Sequence, residues 1–224
     1  LASRMLRLEY CESNIFEDRP SVFACCRNFD APKFEVCRHN GKLEIHTEYL
    51  SLFYDEKPFS AGGLSIKVRS ETRGIYSTWH YGDKLRENLG GTARTLDMAD
   101  GEIPLRKGIQ SRLQGYSVID DSDSPLIESD GAIISHAEKA IDLYFFGYGL
   151  EYQAALNDFF ELSGRPPMLP RYALGNWWSR FHAYSDDEYL NLMDRFRAER
   201  VPFSVAVMDM DWHITDITAK QGKG

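Results

Sequence analysis

Short apolar or alternating segments, each bounded by turn residues, fill the amino-terminal two thirds of the chain. Their alternation is typical of half-buried strands, and pairs such as Asn40-Gly41 and Asp130-Gly131 mark turns between them. Strands at this spacing predict an antiparallel β-sandwich over residues 1–149. The predicted strands cover residues 21–26, 33–37, 42–47, 50–54, 64–68, 117–119 and 140–146.

A helical pattern follows the predicted sandwich. Apolar side chains recur at three- and four-residue spacing over residues 150–162, and Ser163-Gly164 forms a natural carboxyl-terminal cap. The proline-rich run 166–170 then interrupts regular structure. We therefore predict that residues 150–170 connect the sandwich to a second domain at residues 171–224.

The second domain has the pattern of a strand, a helix and another strand. Residues 172–179 are apolar and aromatic, as expected of a strand buried on both faces. Ser185 and Glu188 have the spacing of a capping box, and apolar positions recur at helical spacing from Tyr189 onward. Residues 203–208 favour a second strand. Such a unit pairs its strands in parallel, which predicts the first β-α-β unit of an α/β barrel or a doubly wound sheet.

An acidic cluster, Asp209-Met210-Asp211-Trp212-His213, follows the second strand, where both architectures place their ligands. If the chain stays extended, Asp209, Asp211 and His213 point the same way. Three interpretations remain open. The carboxylates could cap neighbouring backbone amides, hold a metal ion, or accept hydrogen bonds from the hydroxyls of a sugar that lies against nearby aromatic rings.

Specific motifs in this unit carry a family resemblance. They lie at residues 174–181, 184–185 and 205–213. Together they look like the opening of the catalytic barrel of glycoside hydrolase family 31, the α-glucosidase and α-xylosidase family. Further motifs are similar to the amino-terminal β-sandwich of the same family, and they lie at residues 88–97, 108–112 and 118–122.

The resemblance implies a retaining α-glycosidase, in which one carboxylate attacks the anomeric carbon and a second serves as acid and then base. In the family these carboxylates follow barrel strands four and six. Too few residues follow Pro167 for an eight-stranded barrel, which needs roughly 250. We therefore expect no catalytic residue in this chain. It is interpreted as the amino-terminal part of an α-glucosidase-like enzyme that is inactive alone.

The resemblance also assigns substrate-binding residues. Asp209 is expected to accept hydrogen bonds from the hydroxyls of the non-reducing sugar, Phe181 to line the pocket, and Met210 to form an apolar wall. A loop of the sandwich is expected to supply one further acidic contact, from Asp97 or else from Asp100. Asp97 could equally be a turn residue, because the segment ends in an Asp-Gly pair.

Composition and charge narrow the range of partners. The net charge of −8, from 26 basic and 34 acidic residues, argues against nucleic acid. The sequence shows no apolar run long enough to span a bilayer and no secretory signal pattern. The four cysteines, Cys11, Cys25, Cys26 and Cys37, lack C-x-x-C spacing. We therefore expect reduced thiols in a cytoplasmic protein, with neither a metal nor a cofactor.

The expected partner is a glycoside or oligosaccharide, and a homo-oligomer is left open. Two alternatives to an α-glucosidase remain. The chain could be a non-catalytic carbohydrate-binding β-sandwich, or it could belong to an α-xylosidase, sulfoquinovosidase or transglycosylase of the same family.

Overall fold

A computed structural model describes residues 1–69, 77–93, 95–136 and 139–209. The chain divides into two compact units, Leu1–Arg165 and Pro166–Gly224. Among the described residues, no helix has both the length and the apolar character needed to cross a membrane.

The first unit is built mainly from antiparallel strands and carries one helix. Its elements are β1 (Met5–Tyr10), β2 (Phe34–His39), β3 (Lys42–Thr47), β4 (Leu50–Tyr54), β5 (Leu64–Val68), β6 (Ser77–His80), β7 (Ser117–Asp120), β8 (Leu126–Ile127), β9 (Ile133–Ile134), β10 (Ile141–Phe146) and α1 (Tyr152–Ser163). Strands β2 to β6 form a five-stranded sheet in chain order, and β1, β10 and β7 form a three-stranded sheet with β10 in the centre.

The two larger sheets share one hydrophobic core. Leu52 and Ile66 of the five-stranded sheet pack in the same cluster as Leu8, Leu143 and Phe145 of the three-stranded sheet. Burying a side chain such as Phe145 contributes about 2 kcal/mol to the free energy of folding. Alternate side chains of each strand point into this layer, which explains the alternating pattern in the sequence.

Helix α1 covers the other face of the three-stranded sheet. Ala155 and Leu162 are buried against Tyr144 and Phe146, which point away from the core between the sheets. The helix ends at Gly164, where a φ of +82° suits glycine. The helix predicted for residues 150–162 is therefore present and packs within the first unit. The predicted domain boundaries at residues 149 and 170 stay predictions.

One strand predicted for the first unit is absent, and four strands that are present were not predicted. Residues 21–26 are not a strand, because Ser21 makes only an isolated bridge to Leu126 and its hydroxyl accepts a hydrogen bond from the backbone N–H of Ala24. The buried Ala24 packs there without forming a ladder. Strands β1, β6, β8 and β9 are present although the sequence pattern predicted none of them.

The second unit contains a strand, a helix and a strand in the predicted order. The elements are a 3-10 turn (Arg171–Leu174), β11 (Trp177–Trp178), α2 (Asp186–Ala198) and β12 (Val205–Ala206). The strands pair in parallel, with Trp177 opposite Val205 and Trp178 opposite Ala206. The predicted capping box is present. Ser185 Oγ accepts from Glu188 N at 3.3 Å, and the backbone N–H of Ser185 donates to the Glu188 carboxylate and lowers its pKa.

The predicted first strand is much shorter than the sequence suggested. Residues 171–174 turn instead of extending, because Ala173 N bonds to Pro170 O and Gly175 N bonds to Tyr172 O. The expectation of burial on both faces was also wrong, since Trp177 is 58% exposed. Among the described residues, β12 is the one strand that pairs with β11, so one side of β11 has no neighbouring strand.

Candidate functional site

The carboxyl ends of β11 and β12 bring a serine and an aspartate together. Ser179 follows β11, Asp209 follows β12, and Ser179 Oγ donates a hydrogen bond to Asp209 Oδ2 at 3.3 Å. Parallel strands end at the same edge of a sheet, so residues far apart in sequence meet there. Asp209 is partly buried. Its carboxylate therefore has a hydrogen-bond partner and is still partly exposed to solvent.

Contacts at the start of β11 and β12 fix the register in which these two strands pair. The backbone carbonyl of Asn176 accepts from Ser204 N at 2.8 Å, and Asn176 Nδ2 donates to Pro202 O at 3.0 Å. A Cβ atom at Gly175 would overlap the side chain of Ser204, so the close approach requires glycine. Val207 N then donates to Trp178 O at 2.9 Å, which carries the pairing to the edge where Asp209 lies.

Aromatic rings around the site divide into a packed group and an exposed group. The Trp178 ring packs against Tyr184, Tyr189 and Phe196, with centroid separations of 6.1, 6.0 and 5.4 Å. Those rings hold α2 against β11. Phe181, by contrast, is 66% exposed. It lies two residues after Ser179 and offers a flat apolar surface in the loop that follows β11.

The other predicted binding residues are placed differently. Met210 lies outside the described residues, as do Asp211 and His213 of the acidic cluster. Asp97 is exposed in the first unit, within a turn in which Ala99 N bonds to Leu96 O at 3.0 Å. The turn interpretation of Asp97 therefore describes its local structure, and a binding role stays a prediction for Asp97 and for Asp100.

Sequence reasoning did not select three polar residues of this region. Ser179 was missed because its contact with Asp209 depends on strand pairing, which a local pattern does not reveal. Arg180 and His182 both contact Tyr184 in the loop after β11, through a 3.4 Å hydrogen bond and a 4.4 Å ring separation. A search for polar residues just after the predicted strand 172–179 would have found Arg180 and His182, but not Ser179, which lies within that predicted strand.

The first unit contains one group of side chains suited to holding a metal ion, among the residues that the structure describes. Ligand atoms of Cys37, Glu44 and His46 lie within 4.8 Å of one another. These residues belong to β2 and β3. No sequence motif marks the group, because its members come from two strands and are not regularly spaced along the chain.

Comparison with known proteins relates the second unit to a family of carbohydrate enzymes. Residues 166–223 match the profile of the TIM-barrel domain of glycosyl hydrolases family 31. An α-xylosidase from Saccharolobus solfataricus is 28% identical over 126 residues, which make up 54% of this chain and 17% of that protein. A 1,6-α-glucosyltransferase from Sporosarcina globispora is 27% identical over 148 residues, which make up 58% of this chain and 11% of that enzyme.

Solved structures show the same fold over most of the chain. A family 31 dextranase from Flavobacterium johnsoniae, as a mutant complexed with isomaltotriose, has a TM-score of 0.56 at 14% identity, covering 94% of this chain and 30% of the dextranase. The same dextranase complexed with glucose has a TM-score of 0.56 at 13% identity, with the same coverage. The chain thus spans less than a third of the length of these relatives. The barrel-domain match and the sequence relatives confirm the resemblance to glycoside hydrolase family 31 that the motifs predicted, and the solved structures show that the fold is shared.

Proposed function

We propose that this chain is the amino-terminal part of a retaining α-glycosidase, and that its second unit is the start of a catalytic (β/α)8 barrel. The observation that carries the proposal is the meeting of Ser179 and Asp209 at the carboxyl ends of two parallel strands. Barrel enzymes build their active sites at this end of the strands. The match of residues 166–223 to a barrel-domain profile supports the same interpretation.

In this proposal, Asp209 orients the non-reducing sugar and does not attack it. An ionised carboxylate is an acceptor with two oxygens, so it can hold neighbouring hydroxyls of a sugar ring while Ser179 occupies part of one oxygen. The exposed ring of Phe181 supplies an apolar face for the sugar, and Met210 a further wall. Asp97 is proposed as an additional acidic contact from the first unit.

The proposed chemistry requires two further carboxylates. One attacks the anomeric carbon as the leaving group takes a proton from the other, and water then cleaves the glycosyl-enzyme while the second carboxyl acts as base. Both are assigned to segments beyond this chain, which alone should have no hydrolytic activity. An α-glucoside or an α-xyloside is the proposed substrate, because the relatives are an α-xylosidase, a glucosyltransferase and a dextranase.

The proposal is tested with p-nitrophenyl α-glucoside and α-xyloside, using the 224-residue chain and a longer product of the same gene. We expect the longer form alone to release p-nitrophenol. In that form, Asp209→Asn should lower kcat/KM about 10- to 100-fold, because a charged hydrogen-bond acceptor to the substrate is lost. The matched control is Asp194→Asn on the exposed face of α2, which should leave kcat/KM unchanged.

Three outcomes would contradict the proposal. Hydrolysis by the 224-residue chain would mean that its own residues supply the catalytic carboxylates. Equal effects of Asp209→Asn and Asp194→Asn on kcat/KM would show that Asp209 does not contact the substrate. Sugar binding by residues 1–165 alone, without hydrolysis by either form, would instead favour a carbohydrate-binding β-sandwich.

A further inference from the structure

A two-residue turn sets the register of the hairpin formed by β2 and β3. Asn40 and Gly41 both have positive φ, +51° and +74°, as in the type I′ turns that suit tight hairpins. His39 consequently pairs with Lys42, and the pairing continues along both strands. The same register brings Cys37 opposite Glu44 and places Glu35 opposite His46.

The side chains of these pairs project from one face of the hairpin. Ile45, between Glu44 and His46, packs against the core shared by the two sheets. Because successive side chains of a strand alternate, Glu44 and His46 project from the opposite face, away from that core. Cys37 is on the same face as its partner Glu44, and it is exposed to solvent.

The distances among the three side chains suit a metal ion. His46 Nε2 lies 3.1 Å from Glu44 Oε2, and the ligand atoms of all three residues lie within 4.8 Å of one another. Around a tetrahedral zinc ion, neighbouring ligand atoms are about 3.4 Å apart. The imidazole and the carboxylate therefore already have ligand spacing, and the exposed thiol needs to approach by about 1 Å, which a χ1 rotation can supply.

The His46 ring is held in an orientation that leaves Nε2 pointing at the cluster. Its Nδ1 lies 3.0 Å from Ser51 Oγ, and Ser51 is only 3% exposed. That hydroxyl also accepts from Arg69 Nη2 at 3.4 Å, and its second lone pair can accept the Nδ1 proton. The Phe53 ring packs edge-on against the imidazole, at 6.0 Å between centroids. A hydrogen bond at the second ring nitrogen is the usual support of a metal-bound histidine.

We propose that Cys37, Glu44 and His46 form a zinc site on the outer face of the five-stranded sheet, with a water molecule or Glu35 in the fourth position. A thiolate, an imidazole and a carboxylate are the ligands that Zn²⁺ prefers over Mg²⁺ or Ca²⁺. Lys67 and Arg69 lie on the same face beyond Phe53 and Ser51. The anionic thiolate and carboxylates lie on the β2–β3 side, so they would be nearer the ion than the positive charges of Lys67 and Arg69.

A bound ion would link the exposed edge strand β2 to its neighbour β3. All six residues of β2 are exposed, and β2 has β3 as its one pairing partner among the described strands. Such an edge opens more readily than the central strands. A metal bridge from Cys37 to Glu44 and His46 would link β2 to its neighbour, and binding to the folded state alone would raise the stability of the sheet.

The test is a Co²⁺ titration of the tag-free, reduced 224-residue chain. We expect a thiolate-to-cobalt charge-transfer absorption in the near ultraviolet, which Zn²⁺ abolishes by displacement. Cys37→Ser should remove this absorption, and His46→Gln should weaken Zn²⁺ binding more than Ser51→Ala does. The Ser51→Ala variant, which removes the hydroxyl that orients the ring, should weaken binding about tenfold. Cys26→Ser is the matched control at an exposed cysteine and should bind as the parent chain does.

The alternative is that Glu44, His46 and Ser51 form only a surface hydrogen-bond network. In that case, the parent chain shows no cobalt-thiolate absorption, and Zn²⁺ does not raise its Tm, which overturns the proposal. The proposal also fails if the absorption persists in Cys37→Ser or disappears in Cys26→Ser. Far-ultraviolet circular dichroism of each variant, matched to that of the parent chain, establishes that the loss of binding is not loss of fold.

Discussion

Asp121 is a carboxylate buried in the first unit, with a relative exposure of 1%. Its Oδ2 accepts a hydrogen bond from Ser21 Oγ at 2.6 Å. Burial raises the pKa of Asp121, and the nearby Asp142 carboxylate adds to that shift, while hydrogen bonds from Ser124 and Ser21 oppose it. The folded protein therefore favours the protonated form of this group more than the unfolded chain does.

This shift predicts how stability changes with pH. The folded-state pKa lies above the ordinary value of 3.8, so the stabilising contribution is complete below that value and is lost as pH rises through the folded-state pKa. Asp121→Asn has no titrating carboxylate at this position, so its stability lacks this dependence on pH. Urea unfolding between pH 4 and 7 should show the free energy of unfolding of the parent chain falling relative to that of Asp121→Asn as pH increases.

The control for this experiment is Asp123→Asn, at an exposed position of the same loop. It separates the effect of burial from the effect of removing one negative charge from this part of the surface. A difference between the parent chain and Asp121→Asn that stays constant, or that grows in favour of the parent chain with rising pH, would contradict the assignment of a raised pKa.

At the scale of elements, sequence patterns succeeded where the determining information is local. Strands β3, β4 and β5 alternate within themselves and are bounded by turn residues, so their predicted bounds agree with the structure. Strand β1 was missed because it is held by β10, more than a hundred residues away. Arg7 of β1 is paired with the buried Asp142 at 2.8 Å, and nothing adjacent to Arg7 in sequence reveals that partner.

The same distinction applies to the candidate site. Asp209 could be placed at a strand end from its neighbours alone, because a β-favouring run ends just before it. Ser179 could not be selected, since its contact with Asp209 depends on the register of β11 against β12. The Cys37–Glu44–His46 group depends on register in the same way, and it was likewise missed.

The register of β2 against β3 gives a prediction at the scale of the hairpin. Gly41 has a φ of +74°, and an L-residue there is strained, so Gly41→Ala should lower the free energy of unfolding by about 1 kcal/mol. Gly62 offers a matched control, because a Cβ there meets nothing within 4 Å and its φ lies outside the positive range. Urea denaturation of both variants measures the difference.

The free energies of unfolding of Gly41→Ala and Gly62→Ala should differ only if the stability of the hairpin depends on the conformation of its turn. Gly62→Ala should leave stability unchanged or raise it slightly, through the smaller entropy of the unfolded chain. If Gly41→Ala proves as stable as Gly62→Ala, the hairpin does not need a left-handed residue at its turn. The register that aligns Cys37 with Glu44 would then have another origin.

At the scale of the whole molecule, the chain joins two units that each contain their own packed side chains. The first has one core between its sheets and another beneath α1. The second has a cluster of aromatic rings in which Trp178 and Phe203 both contact Phe196. Between them, residues 164–170 are exposed and have no helix or strand. Exposed chain without regular hydrogen bonds is where proteases cut first.

Limited proteolysis should therefore separate the units at this connection. A protease of broad specificity such as subtilisin is expected to cut first within residues 164–170, and intact mass measurement should show a resistant fragment that begins at Leu1. Recombinant Leu1–Arg165 is the matched control and should have the same resistance and the same Tm as the proteolytic fragment, because both of its cores are complete within it.

First cuts inside β10 or α1 would show instead that the first unit depends on the residues that follow it. In that case the division at Arg165 would not describe an independently folding domain, and the proposed barrel start would share its stability with the sandwich.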